Sequence, residues 1–127
     1  MNRDKKTAAL ALALGLSLLA SAAQAMTVQE FVTAAARIPQ NPTALLRSDT
    51  RRLMREFQGA FGTIRTEQAT ARQVGRRPAT CMPDKVSLSP NAILGRFNAI
   101  PAPRRATVSV TQALREWMIE RYPCPAA

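Results

Sequence analysis

The 127-residue chain contains no histidine. That removes the usual imidazole base for activating a serine or cysteine nucleophile, and the commonest nitrogen ligand for zinc. The carboxylates do not replace it. Beyond residue 25 there are seven, at positions 30, 49, 56, 67, 84, 116 and 120, with no close acidic pair suited to acid–base chemistry. Glu116 and Glu120 stand four apart, but Arg115 and Arg121 beside them read as surface charge. We therefore expect no catalytic residues, no metal ligands and no cofactor, which points to a binding protein and away from an enzyme.

Long apolar runs are equally scarce. The one candidate, Leu10 to Leu19, is interrupted by Gly15 and Ser17 and falls short of the ~20 residues that span a bilayer. Before it stand Arg3, Lys5 and Lys6, and after it the small-residue sequence Ala23-Gln24-Ala25. This is the pattern of a cleavable export signal over residues 1–25, leaving residues 26–127 as a single domain. No later segment is apolar enough to cross a membrane, and no cysteine follows the cleavage point to carry a lipid. The expected location is the periplasm of a Gram-negative cell.

Only two cysteines occur, Cys81 and Cys124. Without a CxxC spacing or any histidine they do not form a redox or metal pair, and in an oxidising compartment an even count predicts one structural disulfide. Closing so long a loop constrains the unfolded chain by roughly 4 kcal/mol in the chain-entropy model. A domain of this size builds one core and buries about two thirds of its unfolded surface.

Acidic charge is also in short supply. After residue 25, fifteen basic residues face seven acidic ones, a net charge of +8, and Lys85 is the only lysine among them. Arginine excess has two readings: the codon bias of a GC-rich genome, or selection for fork-like binding of carboxylates or phosphates. A nucleic-acid partner fits the charge but not the compartment.

What remains is helical punctuation and no convincing strand. Thr27-Val28-Gln29-Glu30 has the spacing of a capping box, flanked by Met26 and Phe31 as a hydrophobic staple, and predicts a helix over 28–38 that Pro39 stops. Asn41-Pro42 opens a proline-free stretch that predicts one long helix over 43–74. Ser89-Pro90 starts a short helix carrying Ile93, Leu94, Phe97 and Ile100. Pro101 to Arg105 reads as a rigid exposed connection. Ser109 and Gln112 then have capping-box spacing for a last helix that presents Val110, Ala113, Leu114, Trp117 and Met118 inward and ends at Tyr122-Pro123. Trp117 reads as core in preference to an interface anchor. The expected fold is all-α: a small four-helix domain with one long central helix, stapled by a single disulfide.

The central helix carries the most pattern. With Arg47 at zero and about 100° per residue, Leu46, Leu53, Phe57, Phe61, Ile64 and Ala71 form one apolar stripe between roughly 240° and 320°. Arg47, Arg51, Arg55, Arg65, Arg72 and Arg76 gather between about 340° and 80°, with Asp49, Glu56 and Glu67 near 180° to 200°. Sign segregation of this kind fits either a solvated face or a docking edge for an acidic partner. An unbroken helix over 43–74 would run ~48 Å, so it must kink, protrude or meet a second subunit. Gly59 and Gly62, off the stripe, are candidates for a bend or for close approach of another helix.

Cys81-Met82-Pro83-Asp84-Lys85-Val86, a short helix, Pro103-Arg104-Arg105, and Ala113-Leu114 leading to Tyr122-Pro123-Cys124 resemble the C-terminal half of the Tai/Rap family. These are small periplasmic immunity proteins that neutralise peptidoglycan amidases delivered by type VI secretion. The resemblance implies an all-helical homodimer that blocks the amidase groove with a loop, by steric plugging and not by chemistry. The arginine-rich stretch from 47 to 55 has no place in the family pattern. Candidate partner-binding residues are Arg47, Arg51, Arg55, Arg65, Arg76, Arg77, Arg104 and Arg105. The alternative is a stand-alone envelope stress or adaptor module that holds an acidic polymer or partner, such as lipopolysaccharide phosphates.

Overall fold

A computed structural model describes residues 25–126, and the expected export signal lies outside the described residues but for Ala25. Among the described residues there are five α-helices: α1 (Val28–Ala36), α2 (Ser48–Gln73), α3 (Pro90–Asn98), α4 (Ala102–Arg105) and α5 (Val110–Arg121), with a 3-10 turn at Pro42–Leu46. There is no strand among the described residues, and none of their helices is long and apolar enough to cross a membrane.

The caps form where the sequence places them. Thr27 Oγ1 accepts the Glu30 amide, and the Glu30 carboxylate accepts the Thr27 amide, completing the capping box. Ser89 Oγ accepts from the Ala92 amide to start α3. At α5 half of the expected box is present: Ser109 Oγ accepts from the Gln112 amide, while the Gln112 side chain turns instead toward Glu116 and Arg115. The caps of α1 and α5 lie side by side. Thr27 and Ser109 form an isolated antiparallel bridge through Val28 N–H to Val108 O (3.0 Å) and Val110 N–H to Met26 O (2.9 Å).

α2 packs along α5, and α1 bridges α2 to α3, α4 and α5. Phe97, Ile64, Leu114, Met118, Val28 and Val110 are the largest fully buried side chains. Phe31 meets Phe97 edge to face at 5.3 Å. Trp117 is buried in this core, as its place on the apolar face predicts.

Three boundaries differ from expectation. α1 ends at Ala36, with Arg37 and Ile38 closing a last tight turn onto Ala34 and Ala35. The central helix is not continuous from 43: Pro42 initiates a separate 3-10 turn, and Arg47 takes extended backbone (φ −79°, ψ 140°) before α2 begins. Leu46 accordingly leaves the apolar stripe and is 77% exposed. The connection at Pro101 to Arg105 is a one-turn helix, because prolines at its cap and second position need no amide partner while the Pro101 carbonyl accepts from Arg104 and Arg105. With α2 cut to 26 residues, its length is about 39 Å.

Glycines in α2 behave in two ways. Gly75 has φ +71°, and the amides of Gly75 and Arg76 bond back to Arg72 O and Ala71 O, a Schellman closure that needs the left-handed region. Gly59 and Gly62 instead lie within the regular helix, and a Cβ at either would meet nothing within 4 Å. They mark no close approach of another helix among the described residues. Gly59→Ala and Gly62→Ala should each raise stability by about 0.5–1 kcal/mol in urea denaturation. Gly75→Ala should lower it by about 1–2 kcal/mol.

Candidate functional site

The loop after α2 is fastened from three sides. Cys81 and Cys124 form the expected disulfide (S–S 2.00 Å), and the Cys81 amide donates to Tyr122 O at 2.9 Å. From α2, Gln68 reaches across: its Nε2 donates to Met82 O (3.2 Å), while its Oε1 accepts from Met82 N–H (2.8 Å) and from the Thr80 hydroxyl (3.0 Å). Gln68 and Thr80 are both buried, so each polar atom in this cluster needs its partner. Sequence reading missed Gln68. The signal was there: at about 300° on the α2 wheel it is a polar side chain inside the apolar stripe.

Two candidate arginines, Arg65 and Arg77, belong to the same fastening, and two, Arg104 and Arg105, tie other elements. Arg65 donates to Pro83 O (3.2 Å) and Asp84 O (2.9 Å) and lies over the Phe61 ring. Arg77 donates to Cys124 O (2.7 Å) and Pro125 O (2.9 Å). Arg104 makes a bidentate pair with Glu116 at 2.6 and 2.7 Å, and Arg105 donates to the backbone and side chain of Asn98. These four guanidiniums hold the fold together, which explains their presence without a partner. Glu116 and Glu120 do not pair with their neighbours in sequence: Glu120 meets Arg96 of α3, and Glu116 meets Arg104 of α4.

The other candidates lie at the two ends of α2. Arg47 pairs with Asp49 at 3.3 Å, Arg51 makes only a long contact to Leu46 O (3.5 Å), and Arg55 is exposed with no hydrogen bond or ion pair among the described residues. Arg76 lines a shallow hollow of about 420 Å³ beside Arg77, Arg115 and Glu67, far along the helix from Arg55. The structure thus divides the predicted arginine edge: Arg51 and Arg55 face outward, and Arg65 is drawn into the loop clamp.

Next to Arg51 and Arg55 an open apolar groove of about 640 Å³ runs between α1, the 3-10 turn, the first half of α2 and the start of α3. Ile38, Leu45, Met54, Phe57, Ile93 and Leu94 are among its walls. Leu45 is 70% and Met54 49% exposed, although a small domain rarely leaves adjoining apolar side chains in water. The hydroxyl of Thr50, on the groove wall, is buried with no hydrogen-bond partner among the described residues. Sequence reading did not foresee this groove, because it arises where the chain turns at Arg47 and the 3-10 turn swings away from the line of α2.

No family model, curated protein or solved structure matches the chain.

Three ion pairs join elements across the surface, and they set an acid limit. Hydrogen bonds from Arg115, Arg104 and Arg96 hold the carboxyls of Glu67, Glu116 and Glu120 below the ordinary carboxylate value of 4.5. Because the folded values are depressed, their contribution is complete above that value and disappears as pH falls through the lower folded ones. The melting temperature should be flat from pH 7 to about 5 and decline below about 4.5, less steeply in Glu67→Gln and Glu116→Gln. Gln68→Leu should cost about 1–3 kcal/mol at neutral pH by stranding the Met82 amide and the Thr80 hydroxyl, read as a lower urea midpoint.

Proposed function

We propose that this is an exported periplasmic binding protein of the immunity type, which neutralises a peptidoglycan amidase effector by covering its active-site groove without turning over a substrate. The observation that carries this reading is the C-terminal unit. The landmarks of the family resemblance, Cys81 to Val86 and Tyr122 to Cys124, meet in one place through the disulfide and the Cys81–Tyr122 hydrogen bond. A bridge in that position suits an oxidising compartment. The export reading also agrees with Met26, the residue after the expected cleavage point, being 5% exposed and bonded through its carbonyl to Val110.

Contact with the amidase falls to surfaces not already engaged. The guanidiniums of Arg77, Arg104 and Arg105 serve the chain itself, which leaves the outward arginines of α2 and the loop backbone around residues 76–80 as the docking elements. The alternative, an envelope module holding lipopolysaccharide phosphates or another acidic polymer, draws on the same outward arginines.

Mixing purified oxidised protein (residues 26–127) with individual peptidoglycan amidases and following sacculus hydrolysis tests the reading. One amidase should be inhibited stoichiometrically, and the purified chain should sediment with twice its own mass if the homodimer implied by the resemblance forms. Inhibition of none across the known amidase classes, together with salt-sensitive binding to lipopolysaccharide, would establish the alternative.

A further inference from the structure

We infer that the groove between α1 and α2 receives an acidic amphipathic helical segment of the protein partner, with Arg51 and Arg55 gripping its carboxylates. The inference deepens the reading above and rests on it for the partner's identity. Three observations carry it.

The first is the groove itself, apolar and open along its length, with Leu45 and Met54 left half or more exposed beside Ile38, Phe57 and Ile93. Its volume of about 640 Å³ lies within the range of specific binding sites. Being open, it would leave one side of a bound acyl chain in water, whereas a helix laid along it covers the apolar walls and turns its own polar face outward.

The second is the sign of the charge on its outer bank. On the α2 wheel Met54 and Gln58, at about 340° and 20°, form the lip, and Arg51 and Arg55 follow at about 40° and 80°. Among the described residues no carboxylate lines the groove, and Asp49 and Glu56 lie on the far flank at about 200° and 180°. Glu67, further along that flank, faces Arg115 of α5. Among the described residues Arg55 has no partner and Arg51 only a long one, so both forks are available to carboxylates standing beside an apolar stripe.

The third weighs against a competitor. A second copy placed antiparallel across the groove brings arginine bank against arginine bank, so that pairing is opposed by like charge. An acidic helix turns the same bank into an attraction.

The test is panning of a helix-biased random 16-mer peptide library against the oxidised protein, with counter-selection on Met54→Glu. Enriched peptides should carry apolar residues at i, i+3 or i+4, and i+7, and a net negative charge. By fluorescence anisotropy a synthesised winner should lose at least tenfold in affinity against Met54→Glu, and again against Arg51→Glu/Arg55→Glu. The melts of both variants should match the wild type, since all three side chains are exposed; Met54→Gln serves as a milder check. Basic or uncharged winners, binding indifferent to these variants, or no enrichment over counter-selection would overturn the inference. So would a fatty-acid probe competing for the groove, or a dimer that Met54→Glu dissociates. If an amidase is found and Met54→Glu inhibits it as well as wild type does, the groove inference falls while the immunity reading stands. Acidic winners without any inhibited amidase would leave the groove and remove that reading.

Discussion

The bridge between Cys81 and Cys124 fastens the end of the chain to the loop that follows the longest helix, and most of what is distinctive in the molecule depends on that loop staying put. With Cys81 held, Gln68 can satisfy Thr80 and Met82 from α2, Arg65 can bond the carbonyls of Pro83 and Asp84, and Arg77 can reach back to Cys124 and Pro125. Each of these bonds is worth about 1 kcal/mol on its own, and each needs the loop already ordered. A loop without regular structure becomes as fixed as a helix. The core then closes around it with α5 laid along α2.

The same arrangement sorts the arginines. With seven carboxylates for fifteen basic residues beyond residue 25, ion pairs cannot engage every cation, and the chain uses its carboxylates to join separate elements: Glu67 to Arg115, Glu116 to Arg104, Glu120 to Arg96. Other guanidiniums bond loop carbonyls. Arg51 and Arg55 are left pointing outward beside an apolar groove that the body does not fill. A surface with apolar walls and one basic bank is suited to recognition by shape and charge.

Much of the fold was legible because short-range chemistry is written in short-range spacing. The Thr27–Glu30 capping box, the Ser89 and Ser109 caps and the pairing of two lone cysteines all depend on residues close in sequence or on simple counting, and all are present. What escaped depends on tertiary context. Nothing in Ala44-Leu45-Leu46-Arg47 signals a break, so the separate 3-10 turn and the groove it creates could not be read from propensity. The arginine edge looked uniform on a wheel, yet Arg65 is claimed by a loop eighteen residues away and Arg55 by nothing. Gln68 was readable in principle, since a polar residue within an apolar stripe demands an explanation. Gly59 and Gly62 suggested a bend or close approach of another helix, and no described element approaches them.

That the Cys81–Cys124 clasp fixes the loop and the helical body around it is tested most directly by comparing thermal melts of the oxidised protein with those of Cys124→Ser. Releasing about 4 kcal/mol of constraint should lower the midpoint by more than 15 °C, at about 4–8 °C per kcal/mol for a domain of this size. Hydrogen exchange should then speed up first over residues 76–84. Superimposable melts, with that loop equally protected in both proteins, would contradict the account.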